Sequence, residues 1–173
     1  MPLEIFAADE QDAEPVDTLR WVELATSVLD AEGVKGDTEL SLLFVDEAAM
    51  AELNQRYLGR NGPTDVLAFP LDGDDVVASA RATDSSGPGP VLEPEPDDVP
   101  GILGDVVLCP AVARRHADER KRGYDDEMAL LIVHGILHLL GMDHVEDKDA
   151  VVMERREREL LQRYHDPKPE AGR

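Results

Sequence analysis

Three histidines, His134, His138 and His144, have the residue type and spacing for metal chemistry. His134 and His138 lie four residues apart within Met128 to Leu140, an almost wholly apolar run of helical length, so they leave one helix face about one turn apart. Gly141 follows, and a glycine there can take the left-handed conformation that ends a helix and turns His144 back toward the other two. Neutral imidazole is a good ligand for zinc, and three protein ligands leave a fourth position open for water. That is the layout of a catalytic zinc site, and it predicts one Zn2+ per chain held by His134, His138 and His144. Burying these imidazoles without partners would be costly.

The written spacing is His-x-x-x-His-x-x-Gly-x-x-His, which is that of metzincin proteases except that Gly135 stands where those enzymes carry the glutamate base. Zinc lowers the pKa of bound water to about 7, so a dedicated base is less needed than in a metal-free enzyme. No carboxylate can be singled out as that base. Metal-bound imidazoles commonly donate their other ring nitrogen to a carboxylate or carbonyl; Asp105, Asp143 and Asp65 are the candidates, Asp105 because it interrupts an apolar strand.

These side chains need a scaffold, and the hydrophobic periodicity supplies one. Leu3 to Ala7 reads as a strand, and Val16 to Glu32 as a helix ended by Gly33. Leu40, Leu42 and Phe44 alternate as in a half-buried strand, after which Asp46 caps a helix to about Tyr57. Val66 to Phe69 and Ile102 to Leu108 are further strands. Three helices follow: Pro110 to about Arg122, Asp126 to Leu140 with Asp125 as its cap, and about Asp147 to Tyr164. The order predicts an α/β (α+β) sandwich, a small mixed four-stranded sheet with helices packed on it and the histidine helix most buried. Cys109 ends an apolar run and reads as a buried structural thiol.

At 173 residues one domain suffices. Residues 71–100, rich in Pro, Gly and acid and without periodicity, read as a disordered acidic insert, and the tail 165–173 as frayed. MPLEIFAADE has neither the basic start nor the apolar stretch of a signal peptide, and no run of eighteen apolar residues occurs, so a soluble cytosolic protein without membrane association is expected. The net charge of −21, from 17 Lys+Arg against 38 Asp+Glu, weighs against broad nucleic-acid affinity and suits a basic protein partner. Against that background Arg114, Arg115, Arg120, Lys121 and Arg122 form a basic cluster just before the histidine helix and are the candidates for RNA contact.

The stretch His134-Gly135-Ile136-Leu137-His138-Leu139-Leu140-Gly141-Met142-Asp143-His144 resembles the signature of the YbeY family, zinc-dependent endoribonucleases of rRNA maturation. Gly62 to Pro70 and Leu103 to Pro110 fit the same family, and the likeness runs from about Leu40 to Tyr164. It implies a single-strand-specific endoribonuclease of small-subunit (16S) rRNA 3′-end maturation and ribosome quality control. Its partners would be rRNA and the small ribosomal subunit, reached through basic ribosomal proteins, with no DNA expected. Family members carry an RNA-contacting arginine where this chain has Leu58, so Arg56 or Arg60, the latter counted with the catalytic residues, would take its place. Two other readings stand beside this one: a zinc peptidase, disfavoured by Gly135, and a noncatalytic ribosome-assembly factor whose zinc only staples the fold.

Overall fold

The computed structural model describes residues 3–34, 38–70, 77–78, 101–142 and 147–165. The strands are β1 (Leu3–Asp9), β2 (Thr38–Phe44), β3 (Val66–Pro70), β4 (Val77–Ala78) and β5 (Gly101–Leu108), and the helices α1 (Thr18–Ala31), α2 (Glu47–Leu58), α3 (Pro110–Glu119), α4 (Tyr124–Leu139) and α5 (Asp147–Tyr164). The strand order is β1-β2-β5-β3-β4. β1, β2 and β5 run parallel, while β3 is antiparallel to β5 and to the two-residue β4. The mixed sheet expected from the sequence is thus present, its four longer strands extended by β4.

Alternation along the strands sorts the side chains onto two faces. Leu40, Leu42, Phe44, Val66, Ala68, Val106 and Leu108 join α1, α4 and α5 in the larger core. Leu67 and Val107 face the other way, onto Met50 of α2 and Val112 of α3. The helix predicted to be most buried is so: α4 touches α1, α3, α5, β3 and β5, and nearly every residue from Glu127 to Leu139 is buried. Cys109 is fully buried too, and burial pushes its thiol pKa up, as befits a structural thiol.

Local chemistry explains most boundaries. Asp46 accepts the Ala49 N–H at 2.8 Å and caps α2, whose end is set by Gly59 in the left-handed conformation. The expected cap at Asp125 is corrected: Gly123 is the N-cap of α4, without a side-chain bond, and Asp125 sits in the first turn with Asp126 and Glu127. There the three carboxylates complement the positive end of the helix dipole, and Asp125 also pairs with Arg20 at 2.9 Å. The α3 helix stops at Glu119 rather than near Arg122, because Lys121 takes a positive φ of 57°.

One glycine is demanded by the sheet. The β2–β5 register shifts so that Ile102 faces Glu39 and Gly104 faces Leu40, leaving Leu103 as an extra residue. Gly104 absorbs the distortion at φ +143°, and a Cβ there would lie 2.3 Å from the Phe69 carbonyl oxygen.

The insert lies outside the described residues apart from Val77 and Ala78. So do Asp143, His144 and residues 166–173. His165, expected to fray, is held: its Nε2 lies 2.9 Å from Asp126 Oδ1, and its ring centroid is 6.2 Å from that of Trp21.

Candidate metal centre

His134 and His138 are on the last two turns of α4, 5% and 6% exposed, and their rings meet edge to face with centroids 4.5 Å apart. Their Nε2 atoms are 3.0 Å apart. Two imidazole lone pairs at that separation repel unless a proton or a metal ion stands between them, and two nitrogens on one tetrahedral zinc stand about 3.3 Å apart. The donor set therefore fits a zinc ion bound through the two Nε2 atoms; the third ligand expected from the spacing, His144, three residues after Gly141, lies outside the described residues. Gly141 does take the positive φ, +101°, that the turn requires.

The other ring nitrogen of His134, Nδ1, contacts Oε2 of Glu157 on α5, which is itself 7% exposed. Sequence reasoning missed this residue. The available signal was its place in the thin apolar stripe of α5, between Met153 and Leu160 at helical spacing, both 1% exposed.

The three carboxylates expected near the imidazoles are distributed differently. Asp105 pairs with Phe69 across β5 and β3, and alternation puts it on the sheet face opposite α4. Asp65 lies 3.2 Å from His116 Nδ1 on α3. Asp143 is outside the described residues.

Asp65, His116 and Glu127 form a group that could hold a metal ion, with ligand atoms within 4.8 Å of one another. Its charges are already matched, however: Arg120 is 2.7 Å and Arg122 3.6 Å from the fully buried Glu127. A cation there would compete with two guanidiniums for Glu127, although Asp65 Oδ1 and Glu127 Oε1 accept no hydrogen bond, whereas the His134–His138 pair offers neutral donors. The cluster is better described as a clamp of β3, α3 and α4. It raises the His116 pKa above 6.5, through the Asp65 hydrogen bond first, against desolvation, with Asp65, Glu127 and Glu119 adding Coulombic attraction. Protonated His116 therefore stabilises the fold at and below about pH 6.5, and that contribution is lost as pH rises through the raised value. Chemical denaturation should show a stability gap between wild type and His116→Gln that is wider at about pH 5 than at about pH 8; an equal gap would mean that the pair does not titrate.

The basic cluster is tied to carboxylates. Arg114 Nε is 3.0 Å from Glu14 and its guanidinium lies over the Tyr124 ring at 4.2 Å. Arg115 makes a bidentate pair with Glu47 at 3.0 and 3.1 Å, and Arg120 and Arg122 hold Glu127. Lys121 is exposed. Arg56 is 3.5 Å from Glu52 one turn back on α2, and the Arg60 N–H bonds the Asn54 carbonyl at the end of that helix.

The profile of the family described as Endoribonuclease YbeY matches residues 6–165. The chain belongs to the YbeY family. A relative in Frankia casuarinae, named Endoribonuclease YbeY, is 45% identical over 157 residues, covering 91% of this chain and 72% of its own. A second YbeY relative, in Acidothermus cellulolyticus, is 44% identical over 159 residues, covering 91% and 90%. The solution structure of TM1509 from Thermotoga maritima shares the fold, with a TM-score of 0.53 at 24% identity over 96% of this chain and 99% of that one. The match to YbeY includes the histidine helix and the Glu157 segment alike. Among the described residues, no helix is long and apolar enough to cross a membrane.

Proposed function

We propose that this YbeY-family chain is a zinc-dependent endoribonuclease that cuts single-stranded RNA in the cytoplasm, serving 16S rRNA 3′-end maturation and ribosome quality control. The observation that carries the metal part of the reading is the pair of buried Nε2 atoms 3.0 Å apart on α4. The names of the relatives supply the reaction class. His134, His138 and His144 would hold the ion. Zinc, when bound, supplies Lewis acidity toward a phosphoryl oxygen and a nucleophile at neutral pH.

The chain's own residues do the rest. α4 fixes two imidazoles on rigid backbone, so the donor atoms need no rearrangement to bind. Arg56, Arg60, Arg114, Arg115, Arg120, Lys121 and Arg122 are the proposed phosphate contacts. For Arg114 and Arg115, with side chains 38% and 52% exposed, exchanging a carboxylate for a phosphate costs little, because exposed pairs contribute about 0–1 kcal/mol. The acidic remainder of the surface repels RNA, which favours slow cleavage by the isolated protein and delivery by a basic ribosomal protein.

The test offers the zinc-loaded protein a single-stranded RNA, a duplex and casein at several salt concentrations, with and without small-subunit proteins. Cleavage confined to single strands, falling as salt rises, is the expected result. Casein digestion dependent on His138 without RNA cleavage would favour the peptidase reading; neither activity would favour the noncatalytic assembly factor.

A further inference from the structure

We propose that Glu157 is a positioning residue for the metal centre: its carboxylate accepts the His134 Nδ1–H, which fixes the tautomer and ring orientation that leave Nε2 as the donor to the ion. The inference rests on the zinc reading above. Glu157 comes from α5, and His134 from α4, which packs against it. Both side chains are nearly closed to solvent, at 6% for His134 and 10% for Glu157. Elsewhere on α5 the charged Glu154, Arg155, Arg158 and Glu159 are exposed, so a carboxylate between Met153 and Leu160 on the inward stripe is an expensive choice without a partner.

The geometry gives it one. With Nδ1 occupied by Glu157, the opposite nitrogen of the same ring is the atom that faces His138. An imidazole carries one lone pair when neutral, and a hydrogen bond donated at Nδ1 places that lone pair on Nε2. The buried carboxylate also offsets one unit of the charge that an all-histidine site would otherwise leave on the ion. α5 thus contributes to the centre without touching the ion.

The experiment measures zinc dissociation constants by chelator competition for wild type, Glu157→Gln, Glu157→Ala and His134→Ala, with metal-free melting temperatures alongside. Glu157→Gln keeps shape and an acceptor oxygen, so it should melt close to wild type and bind zinc roughly tenfold more weakly; Glu157→Ala should lose on the order of 10–100-fold. Nitrogen-resolved NMR of the zinc-loaded wild type should find the His134 proton on Nδ1. That readout needs no variant and stands even where Glu157→Ala fails to fold. Wild-type affinity in both Glu157 variants, or zinc on His134 Nδ1, would overturn the positioning role alone. A wild type that takes up no zinc, or His134→Ala that keeps it, would overturn the zinc reading and this proposal with it.

Discussion

Gly135→Glu will not fold stably, and it will not turn the protein into a peptidase. A Cβ at position 135 would lie 2.8 and 3.3 Å from the two methyl carbons of Val106 and 3.5 Å from Val66 Cγ2. Position 135 therefore points at the sheet, against Val106 and Val66. Val106 cannot give way easily, since a β-branched side chain on a central strand has restricted χ1 freedom and is fully buried. For Gly135→Ala the overpacking costs about 1–3 kcal/mol, partly offset by the ~1 kcal/mol that alanine gains over glycine in a helix. A drop of a few degrees in melting temperature is expected. Glutamate adds to the same clash a carboxylate buried against valines, so soluble expression or a cooperative melting transition should be lost. A folded Gly135→Glu protein that digests casein would show that the side chain reaches the imidazoles after all.

His134→Ala, His138→Ala and His144→Ala should each sharply lower the zinc that copurifies with the chain, from about one ion to a small fraction, because two imidazoles make a poor site. Elemental analysis reads this directly. His138→Ala should also abolish RNA cleavage. Nickel or copper competes on affinity grounds, so the purification should exclude both. A metal that binds only the folded centre stabilises it, so chelation should lower the wild-type melting temperature; free zinc at a hundred times its dissociation constant would contribute about 2.7 kcal/mol. The same chelator should leave His138→Ala unmoved. Full metal content in any one variant would remove that histidine from the ligand set.

Much of this was legible in the sequence because it rested on local rules. Alternating Leu40, Leu42 and Phe44, and the Asp46 cap four residues ahead of Met50, depend on neighbours a few residues away, and the strand and helix at those places match. The i, i+4 histidines depend only on helical period, and their nitrogens do converge. What stayed hidden depends on packing between distant segments. Glu157 lies 23 residues beyond His134, and only the seating of α5 on α4 brings them together. Asp105 looked meaningful because it interrupts an apolar strand, yet the face it occupies is set by pairing with Phe69. The basic cluster read as one surface, but its charges are divided among Glu14, Glu47 and Glu127, whose positions no spacing rule gives.

The place of β5 in the sheet bears on how the chain emerges during synthesis. β1 and β2, separated by a single helix, can pair early, but the second edge of β2 is completed only by residues 101–108. Elongation runs at about 5–20 residues per second, so roughly 3–13 s pass between the appearance of Phe44 and that of Leu108. Throughout that interval β2 presents Leu40, Leu42 and Phe44 beside an unpaired row of backbone donors and acceptors, the situation in which strands seek partners from other chains. The α4 helix, and the imidazoles on it, follow β5 in the chain, so the nascent protein completes its sheet before it has anything with which to hold an ion.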